Sequence, residues 1–388
     1  MKILITISYF QPAIGYAETK LAQQLQQLGH TVEVLTSNYY FPFPDFASSV
    51  SAVLPSRVLP VGRKKEKGIL VVRKKQVFEI FARSIFGGIK NEIARFRPDV
   101  VLSFGLTAPA TLQVSAAKKE YLFRFVAVDT HLPSELERGN SIAKNIFYGL
   151  FRAIFSHNLN NALDRVIAMQ DATKNIISDV YGITKTIEII PHGSDTEEFF
   201  YDSKSRNKVR KTLGIKANDF LIIYTGKVVE AKGVDILFAA FNILLKNKRQ
   251  AKLLIVGDGS EKYKAACLEN VDEAFHDFVF WQGFQDQSYL YKYYSAAEVA
   301  VWPLQDSLAM NDAAACQLPF IANNKLGTKL RVSNGNAFLY EQGNSKDLAK
   351  KIGYLYDHPE SRKKMGKNGR ELIENKLSWQ KLARLFIN

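Results

Sequence analysis

Residues 2–37 read KILITISYFQPAIGYAETKLAQQLQQLGHTVEVLTS. The apolar run KILITIS precedes AETKLAQQLQQLGH, where Leu21, Leu25 and Leu28 share one face of a 3.6-residue helix. Gly29 ends that helix, and TVEVLTS begins a second strand. Two strands joined through a helix form a βαβ unit, so this opening predicts an α/β protein with a parallel sheet.

Working outward, DVVLSFG (99–105), LFRFVAVD (122–129) and RVIAMQ (165–170) extend the same sheet. The pattern restarts after TIEIIPHGSDTEEFF (186–200) and the basic stretch YDSKSRNKVRK. FLIIYTG, KLLIVGD, FVFWQG, EVAVWP and PFIANN then follow, separated by helical segments, as a second parallel sheet. The boundary falls near residues 192–200. The predicted domains are 1–195, 196–375 and a terminal helix over 376–388 that packs back toward the first domain. Two doubly wound domains in tandem predict a ligand cleft between the carboxyl ends of their strands.

The chain has 388 residues, 47% hydrophobic and 23% charged, which suits two full cores and argues against disorder. Its net charge of +14 favours anionic partners: phosphorylated substrates, nucleic acid or an anionic membrane surface. Two cysteines, Cys267 and Cys316, are too few for a disulfide scaffold and fit a reducing compartment. MKILITISYFQP is read as a first strand rather than a signal peptide, and no apolar run is long enough to span a bilayer. A cytoplasmic location is expected.

Five stretches carry candidate chemistry. SYFQPAIGYAETKL sets a loop with Gly15 before a helix start, whose free amides suit an anion; it also makes an ordinary βα turn. YTGKVVEAKGVDILFAAF (224–241) places Gly226, Lys227 and Lys232 between a strand and a helix, a pattern that suits a diphosphate or two solvated loop lysines. LLIVGDGSEKY holds Gly257 and Gly259 but lacks the third glycine of a dinucleotide fingerprint. FVAVDTHLPSE puts Asp129 and His131 just past a strand, and the scattered histidines show no metal-ligand spacing. PLQDSLAMNDAAACQLP (303–319) carries two acids, Asp306 and Asp312.

Together these pieces resemble the retaining nucleotide-sugar glycosyltransferases of GT-B fold, family 4 type (glycosyl transferases group 1). PAIGYAETKLAQQLQQLGHTVEVLT is similar to the family's first loop, helix and second strand, with Gly15-Tyr16 where two glycines are frequent. IIPHGSDTEEF has His192 where asparagine is usual. In the second half, YTGKVVEAKGVDILFAAF, LLIVGDGSE, FWQGF, YYSAAEVAVWP and DAAACQLPFIANN follow the family's order and spacing.

The resemblance implies a GT-B architecture: two Rossmann-like doubly wound parallel-sheet domains facing a central cleft. It implies a nucleotide-sugar donor held by the second domain and a glycan or lipid-linked acceptor on the first. Lys227 stands where the family usually has an arginine, and Lys232 matches its lysine; both would neutralise the donor diphosphate. A lysine at 227 lacks the bidentate fork. Gly15, Gly226 and Gly257 would let backbone approach the donor. The family's two glutamates, separated by seven residues, fall on Leu304 and Asp312. Asp312 would hold the ribose hydroxyls, whereas Leu304 cannot serve. Asp306, with Ser307 and Leu308, would take over contact with the donor sugar and phosphates; a solvated loop is the plain alternative for Asp306. His131 would face the donor sugar and stabilise an oxocarbenium-like transition state, in part through its carbonyl.

Transfer would retain configuration and need neither metal nor cofactor, with cell-surface polysaccharide or lipopolysaccharide assembly as its setting. Peripheral attachment to the inner face of the cytoplasmic membrane is expected from GRKKEKGILVVRKKQV (62–77), FEIFARSIFGGIKNEIARFRP (78–98) and AKNIFYGLFRAIFSHN (143–158), read as basic, aromatic helices. Nucleic-acid binding fits the charge but has no motif behind it and is not expected. The alternatives are a soluble small-molecule GT-B enzyme, such as a nucleotide-sugar epimerase, and an inactive GT-B binding protein.

Overall fold

The computed structural model describes residues 1–43, 54, 56–131, 142–304, 306–325 and 329–388. The chain divides into two compact units, residues 1–192 with 379–388, and residues 193–378.

The strands of unit 1 are β1 (Lys2–Thr6), β2 (Thr31–Ser37), β3 (Gly62–Glu66), β4 (Ile69–Lys74), β5 (Gln76–Ile80), β6 (Arg83–Phe86), β7 (Val100–Phe104), β8 (Arg124–Asp129), β9 (Arg165–Ala168) and β10 (Ile187–Ile189). Eight of them form one sheet in the order β10-β9-β8-β7-β1-β2-β4-β3. Every pairing is parallel except β3 on β4. Central β1 shows why the opening run is apolar throughout. Ile3 and Ile5 enter the core on one face and Leu4 the core on the other, as a sheet covered on both sides requires. Trp379, Leu382, Ala383, Phe386 and Ile387 complete the first of these cores. Arg124 donates to the Ile387 carbonyl and to the Asn388 carbonyl (2.6 Å).

Residues 62–86 correct the helical reading of the basic stretches. They are two hairpins, β3–β4 and β5–β6, and the helix in that region spans only Ile89–Phe96. Position in the sheet explains the first hairpin: β4 is covered on both faces, with Ile69 and Val71 in one core and Val72 in the other, while the edge strand β3 leaves Lys64 and Lys65 exposed. Three of the basic residues are held by acids. Arg73 is buried and pairs with Glu66 at 2.7 Å, Lys74 reaches Glu92 at 2.7 Å, and Arg63 bonds Glu33 and Glu92. The 143–158 stretch is helical, within Ile142–Ala162.

The strands of unit 2 are β11 (Phe220–Thr225), β12 (Ala251–Val256), β13 (Val279–Trp281), β14 (Val299–Trp302), β15 (Phe320–Asn323) and β16 (Ala337–Tyr340). They make a wholly parallel sheet in the order β13-β12-β11-β14-β15-β16. The chain winds outward from β11 to β13, then returns to the other side of β11 with β14. That reversal is the topological switch point of a doubly wound fold, where ligands sit beyond the carboxyl ends of the strands.

Candidate functional site

In unit 2, β11 ends at Thr225 and β14 at Trp302, the two strands flanking the switch point. Trp302 Nε1 donates to the Thr225 carbonyl at 2.9 Å, tying the two strand ends together. The loop beyond β11 is fastened to its neighbours. Gly226 N donates to Val256 O (3.0 Å), Val228 N to Asp258 O (2.8 Å), and Gly257 N to Gly283 O (2.8 Å). Tyr224 OH donates to Lys227 O at 2.7 Å. Lys227 thus projects from a loop whose backbone is hydrogen-bonded on both sides, and its side chain is exposed.

Gly226 and Gly257 are placed at this edge as expected, but Gly257 has a structural duty first. It holds φ 145°, and a Cβ there would drive into the Gly226 carbonyl oxygen. A Cβ on Gly259 would meet the Val228 carbonyl in the same way. These glycines permit close approach of two loops.

Lys232 closes a short 3-10 turn, Glu230–Lys232, at the start of the Val234–Lys246 helix. Leu304, in the place of the missing acid, lies on this turn. Its amide donates to Lys232 O (3.3 Å), its carbonyl accepts from Asn323 Nδ2 (2.6 Å), and its Cγ stands where a side chain on Gly233 would be. Leu304 therefore links Lys232 to the end of β14 by shape and backbone, not by charge.

The two acids occupy different settings. Asp312, in the Ala309–Ala315 helix, is 6% exposed and accepts a hydrogen bond from Ser194 Oγ at 2.6 Å. Asp306 forms an ion pair with Arg331, which is buried, and Arg331 also reaches Ser307 O at 3.4 Å. Leu308 caps the start of the Asp312 helix with its side chain exposed. Arg331 and Ser194 had no signal in the sequence. Their partners lie 25 and 118 positions away, and nothing local marks either pairing.

Both cysteines are unreactive. Burial, then the Asp312 charge, pushes the Cys316 thiol far up, and burial raises Cys267 to about 12.

In unit 1, Gly15 adopts φ 76° just ahead of the Ala17–Gln27 helix. Glu18 in its first turn is buried, and desolvation raises its carboxyl to about 7. At the end of β8, Asp129 is fully buried and accepts from Leu106 N (2.8 Å), His131 N (2.9 Å) and His131 Nδ1 (2.7 Å). Burial alone would raise this carboxyl, but the His131 charge and these hydrogen bonds outweigh it and hold it below the usual aspartate value. An ionised carboxylate only accepts, so Nδ1 carries a proton. The His131 carbonyl already accepts from Thr173 Oγ1 at 2.8 Å. The rest of the FVAVDTHLPSE motif, from 132 on, lies outside the described residues.

Among the described residues, no group of three or more His, Cys, Asp or Glu side chains is placed to hold a metal ion, and no helix is long and apolar enough to cross a membrane.

Residues 19–198 match the family model described as Glycosyltransferase Family 4, and residues 205–372 match Glycosyl transferases group 1. A capsular polysaccharide biosynthesis glycosyltransferase of Staphylococcus aureus is 28% identical over 241 residues, 57% of this chain and 60% of that protein. The alpha-monoglucosyldiacylglycerol synthase of Acholeplasma laidlawii is 24% identical over 386 residues, 95% of this chain and 91% of its own. Among solved structures, Anabaena HepE in complex with UDP superposes with a TM-score of 0.70 at 17% identity, covering 99% of this chain and 98% of HepE.

Proposed function

The chain belongs to the glycosyltransferases of group 1 and family 4 and has the GT-B fold of two Rossmann-like domains, and on that premise we propose that it transfers a sugar from a nucleotide-sugar to a glycan or lipid-linked acceptor with retention of configuration. The observation that supports the donor assignment is the position of Lys227 and Lys232 in the segment that follows the carboxyl end of β11, beside the switch point. Two cations there offset the charge of a departing diphosphate, the principal electrostatic demand of the reaction. Asp312 binds the ribose hydroxyls, its orientation set by Ser194. Asp306, held by Arg331, contacts the donor sugar together with Ser307 and Leu308. His131, oriented by Asp129, stabilises the oxocarbenium-like transition state and orients a hydroxyl. The acceptor hydroxyl attacks from the face the diphosphate leaves, and neither metal nor cofactor takes part.

The names of the Staphylococcus and Acholeplasma relatives support a cell-surface glycan or glycolipid product. The reaction takes place at the cytoplasmic membrane face, with unit 1 against anionic lipid. Supporting this, Val77 and Phe78 are exposed on the β5–β6 hairpin, and Ile142, Ile146, Leu150 and Ile154 form an exposed row four residues apart on one helix.

A panel of nucleotide-sugars screened by thermal shift identifies the donor, since a ligand of the folded state raises its melting temperature. Proton NMR of the product's anomeric centre then reads retention or inversion. Leu304 in place of an acid favours one second reading, an inactive nucleotide-sugar binder. Donor binding with no hydrolysis or transfer would establish that reading and reject ours.

A further inference from the structure

Among the described residues, four arginines are buried: Arg73, Arg83, Arg210 and Arg331. Three hold a carboxylate: Arg73 that of Glu66, Arg210 that of Glu298, Arg331 that of Asp306. Arg83 holds none. Its exposure is 7%, and its partners are neutral: Thr107 Oγ1 at 2.8 Å from Nε, Phe81 O at 2.9 Å from Nη1, and Tyr148 OH at 3.1 Å from Nη2. The guanidinium also lies 5.2 Å from the Phe147 ring centroid and 5.7 Å from that of Tyr148. A guanidinium taken out of water without a counter-charge pays a desolvation cost, and cation–π contacts and neutral acceptors offset only part of it.

The surroundings point the same way. Three hydrogen bonds leave two of the five guanidinium N–H groups, the number a bidentate oxyanion takes. Arg83 follows a two-residue hairpin turn in which Phe81 (φ 45°) and Ala82 (φ 57°) both adopt the left-handed region without glycine, a strained way to deliver a side chain. Thr107 is adjacent to Leu106, whose amide binds Asp129, so Arg83 is connected through one loop to the Asp129–His131 pair. Between them, Tyr181 packs 5.7 Å from Tyr148 and 6.4 Å from His131, with its hydroxyl buried beside Thr107.

We propose that Arg83, with Tyr181 and Thr107 beside it, forms an oxyanion subsite in unit 1 that takes a phosphate or carboxylate group of the acceptor. That the bound group belongs to the acceptor rests on the transferase reading above; the subsite itself does not.

The test uses the full-length chain with ¹⁵N-labelled arginine, the Arg83 Nε–H resonance being assigned by its loss in Arg83→Lys. Inorganic phosphate and glucuronate are titrated separately at constant ionic strength, with chloride as control. A saturable shift of that resonance with either oxyanion and not with chloride is expected, and the tighter of the two identifies the group. Arg83→Gln should weaken that oxyanion at least tenfold by calorimetry while leaving the donor affinity within twofold. If Arg83→Gln does not fold, Arg83→Lys keeps the charge without the fork and should weaken it at least threefold. An Arg83 resonance unmoved by both oxyanions, or affinity unchanged in both variants, overturns the subsite while leaving sugar transfer untouched. A transferase that fails on every donor yet shows the shift retains the subsite.

Discussion

The Asp312 carboxylate accepts a 2.6 Å hydrogen bond from the Ser194 hydroxyl, a residue 118 positions earlier in the chain. Ser194 N in turn bonds Leu377 O at 2.9 Å, so the serine is fixed by the backbone at the far end of unit 2. A carboxylate with one oxygen held this way keeps acceptor capacity in a set direction. Asp312→Asn should weaken the free nucleoside diphosphate and the whole donor alike, by about tenfold, the scale of one charge-assisted hydrogen bond. Ser194→Ala should weaken both by less, through orientation alone. Calorimetric titration decides; a variant at Asp312 that binds the free diphosphate normally removes the ribose assignment.

Lys232→Ala should lower kcat/KM at least about tenfold, since one charge-assisted contact to the diphosphate contributes roughly 1.5–3 kcal/mol. Its neighbour offers a control. Leu304→Ala removes no charge but loosens the packing on Gly233, so its effect should fall on stability before turnover. Steady-state kinetics of Lys232→Ala within twofold of the parent would sink the phosphate role.

Gly257→Ala tests the close approach of the two loops. The added methyl has no room beside the Gly226 carbonyl, and φ 145° is unfavourable for any side chain. Urea denaturation should show a loss of at least about 2 kcal/mol. A loss below half that would mean the loops can separate without consequence.

Glu18 predicts a pH dependence of stability. Its carboxyl is raised by burial from 4.5 to about 7, so the native state holds a proton that the unfolded chain releases. Stability from this group is fully present below about pH 4.5, falls as pH rises through the window, and is gone above about 7. The loss is roughly 3 kcal/mol. Glu18→Gln should abolish it, so the variant gains on the parent between pH 5 and pH 8 in urea titrations. Parallel curves for the two proteins would show that Glu18 is not the titrating group.

For the membrane face, the charged positions to reverse are Lys64, Lys65 and Lys75, which are exposed. Lys74 is left in place because it holds Glu92 at 2.7 Å. Each basic residue near an anionic bilayer contributes about 1 kcal/mol, screened by salt. Changing the three to glutamate should cut co-sedimentation with anionic liposomes at least tenfold. Equal binding to neutral and anionic vesicles would exclude an electrostatic anchor.

Much of the fold was legible because the parallel strands are short apolar runs covered on both faces: KILITIS, TVEVLTS, FLIIYTG and KLLIVGD each contain a strand of the final sheets. Residues 62–86 were not, because the edge strand β3 is exposed and basic along its length and the apolar run of β4, residues 69–72, is short and flanked by lysines and arginine. Lys67-Gly68, both at positive φ, is the turn signal that a closer reading would have used. β16 was missed for want of length, being four residues with only Tyr340 buried. In the candidate site, the glycine and lysine positions were readable from local punctuation. The partners that orient the acids, Ser194 and Arg331, were not, since side-chain pairs across a fold leave no periodicity behind.

The last ten residues belong to the core that β1 begins, although the whole of unit 2 lies between them in the chain. Synthesis therefore releases the segments in an order that differs from their packing. Every residue of unit 2 is therefore made before Trp379 and Phe386, and the core that Ile3, Ile5 and Leu21 begin is completed last. Until those residues pack, a chaperone that shields apolar surface has its target in the part of the protein made first.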